Sequence, residues 1–349
     1  MKRRSVALFT ALALGAASCS TDTVSSDAGA ASVSAPTVVA TTSIWADIVG
    51  GVACNDEVNV VNIIPAGADP HTFELSLADR AVLDDAALIV ENGLFLEEGM
   101  VDTLETVADE GVPMFTISDH VSTIAFSGAA EDEEHDEDEE HDEDEEHDEN
   151  EEHDEDEEHD EDEEHDEDEH AHGGEDPHVW FDPTNIIGVL PELGEHLVTD
   201  VGLDEQDVNT CVEEFTAELI SLDTEVDEIL SAIPEDRRLL VTNHDSLGYL
   251  ANRYDLEVLG TVLPDPNGFG ETNPADLNEL RDVVSNAGVA AIFAETQSST
   301  ADSDALASSL DGVEVITLQT GTLGEEGSDT DTYVAWLQSN ANLIADALS

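Results

Sequence analysis

Eight short apolar segments, four in each half of the chain, constrain this sequence more than any other feature. In the first half they are "TVVATT" (37–42), "VNVVNII" (58–64), "ALIVENG" (87–93) and "PMFTI" (113–117). The second half supplies "RLLVTN" (238–243), "LEVLGTVL" (256–263), "VAAIFAE" (289–295) and "VEVITLQ" (313–319). Amphipathic stretches such as "SIWADIVGGVA" and "SLADRAVLDDA" separate them, and "PADLNELRDVVSNAG" opens on proline and stops on glycine, as a helix does. Apolar strands alternating with helices read as β-α-β units on parallel sheets. The expectation is an α/β chain of two (β/α)4 lobes, each with a four-stranded parallel sheet.

Between the halves, Val208, Val212, Phe215, Leu219, Leu222, Val226, Ile229 and Ile233 alternate steps of four and three. That is one apolar stripe on a helix of about 26 residues, roughly 39 Å long. So regular a heptad could build a coiled-coil dimer. Placed between two globular halves, it is read instead as a stiff strut in a monomer. The expected organisation is a first lobe over 36–204, a linking helix over 205–234 closed by Pro234, and a second lobe over 235–349.

The N-terminus carries Lys2, Arg3 and Arg4, a short apolar core, and small residues leading to Cys19. This reads as an export signal over 1–19, too short to span a bilayer, with a lipobox-like end at which Cys19 would be lipidated. A Ser/Ala/Thr-rich tether follows over 20–35. No other run is apolar enough to cross a membrane, so a lipid anchor is the one membrane attachment expected. Cys54 and Cys211 remain; in an exported chain they could form a disulfide, or stay as two buried thiols.

The 349 residues include 86 Asp and Glu against 8 Lys and Arg. Of those acids 32 lie between 131 and 170, which leaves 54 elsewhere, so the body is acidic too. Such a surface repels nucleic acid and anionic lipid and attracts cations, and it also suits salty surroundings. From Glu131 to Asp166 the motif E-D-E-E-H-D repeats, carrying His135, His141, His147, His153, His159 and His165, with His170 and His172 following. Dense like charge without apolar residues cannot offset ordering entropy, so 128–175 is expected to be a disordered loop. Each imidazole with neighbouring carboxylates makes a weak N/O metal site, and many of them raise the local metal concentration.

Outside the run, His71, His120, His178, His196 and His244 are left. His71 lies in "IPAGADPHTFEL", His178 in "GEDPHVWFDP" and His244 in "VTNHDSLGYL". All three sit in loops that leave predicted strands, His244 directly after its strand, and open α/β folds gather their ligands at such strand ends. His71 and His178 share an Asp-Pro-His setting, whose proline stiffens the approach of a side chain that must be aimed. His196 falls on a surface helix face, and His120 follows a strand without a further metal signal.

These segments, with "ENGLFLEEGM", "IFAETQ" and "GTLGEEGSDTDTYVAWLQSNANLIADAL", resemble the metal-binding (cluster A-I) solute-binding proteins of bacterial ABC transporters, in particular the zinc branch. The resemblance covers about 36–349. It implies two lobes joined by a long helix with one metal clamped between them, and His71, His178 and His244 as its ligands. Three neutral imidazoles favour zinc over harder manganese. Many relatives supply a fourth ligand from an aspartate where this chain has Gly321, so a water or Glu295 could fill that place; Glu295 could equally serve a structural role. The implied function is a zinc receptor, exported and lipid-anchored, that carries Zn²⁺ as cargo to a permease driven by an ATPase, with the acidic loop as collector or sensor. A receptor for manganese or another divalent metal and a metal-dependent adhesin are the alternatives. A zinc hydrolase, with Asp245 or Glu295 as general base, is the least expected reading, because nothing like H-E-x-x-H occurs and no oxyanion donor set is identifiable.

Overall fold

The computed structural model describes residues 35–54, 58–126, 174–264 and 272–349. The export signal, Cys19, the tether and the eight histidines of the acidic repeat lie outside the described residues. All eight expected strands form. β1 (Thr37–Ala40), β2 (Asn59–Asn62), β3 (Leu88–Glu91) and β4 (Met114–Thr116) make a sheet of order β2-β1-β3-β4; β5 (Leu239–Thr242), β6 (Glu257–Thr261), β7 (Ala291–Glu295) and β8 (Glu314–Leu318) make one of order β6-β5-β7-β8. Every pairing is parallel, and Val38 sits in register with both Val60 and Leu88.

Strands buried on both faces must be apolar there, which is why the buried stretches Val38–Ala40 of β1 and Leu88–Val90 of β3 are aliphatic. Val38, Ala40, Leu88 and Val90 point into one large core, whereas Val39 and Ile89 point into a smaller one beneath α2 (Leu77–Asp84) and α3 (Val101–Asp109). The second sheet divides in the same way. Leu240, Ala291 and Phe293 join the large core, while Val241 and Ile292 face α7 (Pro274–Ala287) and α8 (Ala301–Ser308). The inner faces of both sheets therefore share one core with α1 (Ser43–Val52), α4 (Pro183–His196), α5 (Glu205–Leu230), α6 (Gly248–Tyr254) and α9 (Tyr333–Leu348).

α5 is the long helix that the stripe foretold, capped by Asp204, whose carboxylate accepts the N–H groups of Gln206 and Asp207. It differs from expectation at its end. The helix stops at Leu230, so 231–234 is a turn and not its last stretch. Pro234 accounts for this: its ring clashes with the carbonyl four residues earlier and disfavours the helical conformation at Ile233. The buried stripe runs through Val208, Phe215, Leu219, Leu222 and Val226 and then passes to Leu230, with Ile229 only half-buried. A seven-residue step on an α-helix drifts by roughly 20°, so three heptads carry Ile229 about 60° off the core and bring Leu230 onto it. Cys54, just beyond α1, is joined by a disulfide to Cys211 on α5.

One buried carboxyl gives the fold a pH dependence. Glu97 is 2% exposed and accepts the Thr41 hydroxyl (2.6 Å) and the backbone N–H groups of Asn92 (2.8 Å) and Gly93 (3.3 Å). Burial, helped by the charge of Glu91, pushes it up to about 7, although these hydrogen bonds favour its ionised form. The folded state thus keeps a proton that the unfolded chain has released. The resulting stabilisation is full below the unfolded value near 4.5 and disappears as the pH rises through about 7. Urea unfolding between pH 5 and 8 is expected to show Glu97→Gln escaping a loss of about 3 kcal/mol that the parent suffers. Parallel pH profiles for the two proteins would contradict this.

Candidate metal centre

His71, His178 and His244 come together at the C-terminal ends of the two sheets. Each is almost fully buried, at 3%, 2% and 4% exposure. His71 lies in the loop between β2 and α2, His178 precedes the single turn Val179–Phe181, and His244 follows β5. The two Asp-Pro-His tripeptides fold alike: Asp69 accepts the His71 N–H (3.0 Å), and Asp176 accepts the His178 N–H (2.9 Å). Proline between them fixes the backbone, so the aspartate two residues upstream holds the histidine before any ligand arrives.

The Nε2 atom of His178 lies 3.3 Å from that of His71 and 3.2 Å from that of His244, and the potential ligand atoms of all three lie within 4.8 Å of one another. A tetrahedral zinc ion with Zn–N bonds near 2.0–2.1 Å spaces its nitrogens by roughly 3.3 Å, so the two short separations fit such an ion. Carboxylates stand behind the rings of His178 and His244. Nδ1 of His178 donates to Asp176 Oδ1 (2.7 Å), and that of His244 donates to Glu295 Oε1 (2.8 Å). A carboxylate on Nδ1 fixes the tautomer and turns the Nε2 lone pair to the centre.

The electrostatics follow the same contacts. Burial, together with the charges of His178 and His244, holds His71 well below the usual imidazole range. Burial would also lower His244, but the charge and hydrogen bond of Glu295 outweigh it and raise His244. Burial would raise Glu295, yet the charge and hydrogen bond of His244 and the Ser246 hydroxyl (2.7 Å) bring it below its ordinary value.

Glu295 sits behind His244 and is not a member of the three-nitrogen cluster. Its Oε2 accepts Gln297 Nε2 (3.0 Å), so both oxygens are engaged. At Gly321 an added Cβ would stand 2.8 Å from Pro70 Cδ, which leaves no room for a side chain unless Pro70 moves. His120 and His196 are elsewhere: His120 is exposed and stacks on Phe115 at 4.6 Å, and His196 bonds Asp200 (2.7 Å) one turn away. Asp176, Ser246, Gln297 and Thr320 were not singled out from sequence. Of these, Asp176 carried a signal, its place in the repeated tripeptide.

A family model described as zinc-uptake complex component A, periplasmic, matches residues 38–347. Among curated relatives, the manganese ABC transporter substrate-binding lipoprotein scaA of Streptococcus gordonii is 24% identical, covering 100% of this chain and 99% of that one. The zinc-binding protein TroA of Treponema pallidum is 25% identical, covering 90% and 89%. The solved structure of periplasmic zinc-binding TroA from Treponema pallidum superposes with a TM-score of 0.71 at 24% identity, over 90% of this chain and 99% of that one. A Mn-bound periplasmic metal-binding protein from Candidatus Liberibacter asiaticus superposes at 0.67 with 20% identity, over 90% and 100%. Both structures share the fold of this chain. The family is one of extracytoplasmic receptors and not of enzymes, and with the model matching nearly all of the described body, the chain belongs to the periplasmic zinc-uptake component A family.

Proposed function

We propose that this protein is the zinc receptor of an ABC-type metal importer, holding Zn²⁺ through His71, His178 and His244 and passing it to a membrane permease driven by an ATPase. The observation that carries the reading is the buried convergence of three imidazoles, with the Nε2 of His178 3.3 Å from that of His71 and 3.2 Å from that of His244. Three nitrogen donors and no carboxylate in the cluster suit a borderline ion better than a hard one. Water completes the coordination, because Glu295 is occupied behind His244 and Gly321 offers no donor. Lipidation at Cys19 as the membrane attachment is supported by relatives named as lipoproteins. The acidic repeat acts as a collector of loosely held zinc. In support, Ala125 and Glu175, which flank the segment that contains it, form an antiparallel bridge, and Glu175 is three residues before His178.

A manganese receptor is the second reading, favoured by relatives whose names specify manganese. Titration of metal-free protein with Zn²⁺ and Mn²⁺ against a competing chelator separates the two. Zinc is expected to bind at one tight equivalent and manganese at least ~100-fold more weakly. Equal or tighter manganese binding would overturn the zinc assignment. Deleting 131–170 is expected to remove weak binding and leave the tight equivalent in place.

A further inference from the structure

The segment Thr320–Leu323 follows β8 in the second lobe, yet the first lobe holds it. Trp180 Nε1 donates to the Thr320 carbonyl (3.0 Å), the Gly67 N–H to Thr322 Oγ1 (2.9 Å), and the Leu323 N–H to Ser43 Oγ (2.8 Å). Pro70, the neighbour of His71, packs on Gly321. At its base, Gln319 exchanges two hydrogen bonds with Asn340 of α9 (N–H to Oδ1, 3.2 Å; Nδ2 to the carbonyl, 2.7 Å). The segment is therefore a strap of one lobe laid across the other, beside the loops that carry His71 and His178.

Gln297 connects this strap to the third histidine. Its Nε2 lies 3.0 Å from Glu295 Oε2 and 2.5 Å from Thr320 Oγ1. A carboxylate can only accept here, so the amide nitrogen faces it, and the two N–H groups serve the two oxygens. Glu295 in turn fixes His244 through Nδ1 (2.8 Å). The path runs without a gap from Trp180, two residues past His178, through Thr320, Gln297 and Glu295 to His244.

We infer that Gln297 is a positioning residue that links seating of the Thr320–Leu323 strap to the aim of His244, so that the bound ion is held fast only while the strap lies on the first lobe. With the strap seated, Thr320 orients the Gln297 amide, the amide restrains Oε2 of Glu295 while the Ser246 hydroxyl holds Oε1, and between them Glu295 has one position left in which to receive His244. With the strap lifted, Gln297 loses one of its two acceptors, Glu295 is held from one side less, and His244 can swing off the ion. Strap release then serves as the step that lets metal go. The inference rests on the three-histidine reading of the site.

The test is zinc dissociation from full-length protein, followed by stopped flow into excess chelator, for Gln297→Met, Thr320→Val and the double variant. Each single change is expected to speed dissociation about tenfold while the association rate stays within about twofold. The double is expected to be no faster than either single, because both cut one path. Cobalt(II) loaded in place of zinc is expected to show ligand-field bands displaced in both variants, which a change in fold stability alone would not produce. Thr320→Val tests the same link if Gln297→Met does not fold. Unchanged dissociation and cobalt spectra, or rate effects that multiply in the double, would overturn the inference. His244→Ala run alongside separates the two levels: wild-type zinc binding that survives it removes the three-histidine reading, whereas histidine-dependent binding that ignores Gln297 and Thr320 removes this inference alone.

Discussion

Alanine at His178 is expected to lower zinc affinity by on the order of a thousandfold or more, the largest single effect in this protein. His178 is the middle of the cluster, with its Nε2 within 3.3 Å of both partners, so its loss leaves two imidazoles and solvent. His71→Ala and His244→Ala are expected to follow. Asp176→Asn keeps the ring but exchanges a charged acceptor for an amide, and a loss of about 10- to 100-fold is expected. Chelator-competition titrations measure all four. Survival of the tight equivalent in any of the three alanine variants would remove that histidine from the site. The pH dependence has a definite sign, because zinc needs the Nε2 lone pair unprotonated. His71 is lowered and gives up its proton easily, whereas His244 is raised by Glu295 and keeps one. Proton and metal therefore compete at His244, and zinc affinity is expected to fall as the pH drops through its elevated value.

Removing the Cys54–Cys211 disulfide is expected to cost about 5 kcal/mol of stability, because it closes a ring spanning 157 residues of separation and limits the unfolded chain accordingly. The ring encloses most of the first lobe and joins the C-terminal end of α1 to α5, where Gly51 already lies against the Phe215 ring (3.0 Å to its added Cβ). α1 runs back from the C-terminal end of β1, so the bridge at its far end lies away from the strand ends that carry the histidines. Urea unfolding of the Cys54→Ser/Cys211→Ser protein is expected to show the loss, with zinc affinity within about threefold of the parent. A loss below about 1 kcal/mol would mean that packing of α1 on α5 restrains the chain without the bridge.

α4 shows where the sequence was least legible. Pro191 interrupts its pattern, and Gly188 and Gly194 lower its helical signal, so only its last part reads as amphipathic. The structure explains Gly194: an added Cβ would stand 3.1 Å from Val212 and 3.2 Å from Val208, so α4 approaches α5 closely enough that glycine fits with the least displacement of the two valines. A residue chosen for a neighbour distant in sequence looks locally like a defect. Gln297 and Thr320 are hidden for the same reason. Each is an ordinary polar loop residue until packing places the two within hydrogen-bond reach.

Local pattern alone determined the eight strands, the long helix and the three histidines worth watching, because periodicity and strand-end position are properties of short windows. The cysteine pairing, the passage of the α5 stripe from Ile229 to Leu230 and the retreat of Glu295 behind His244 were decided by tertiary structure. So was the meeting of nitrogens from residues 107 and 66 positions apart. These depend on how two sheets settle on one shared core, and no short window holds both sides of that contact.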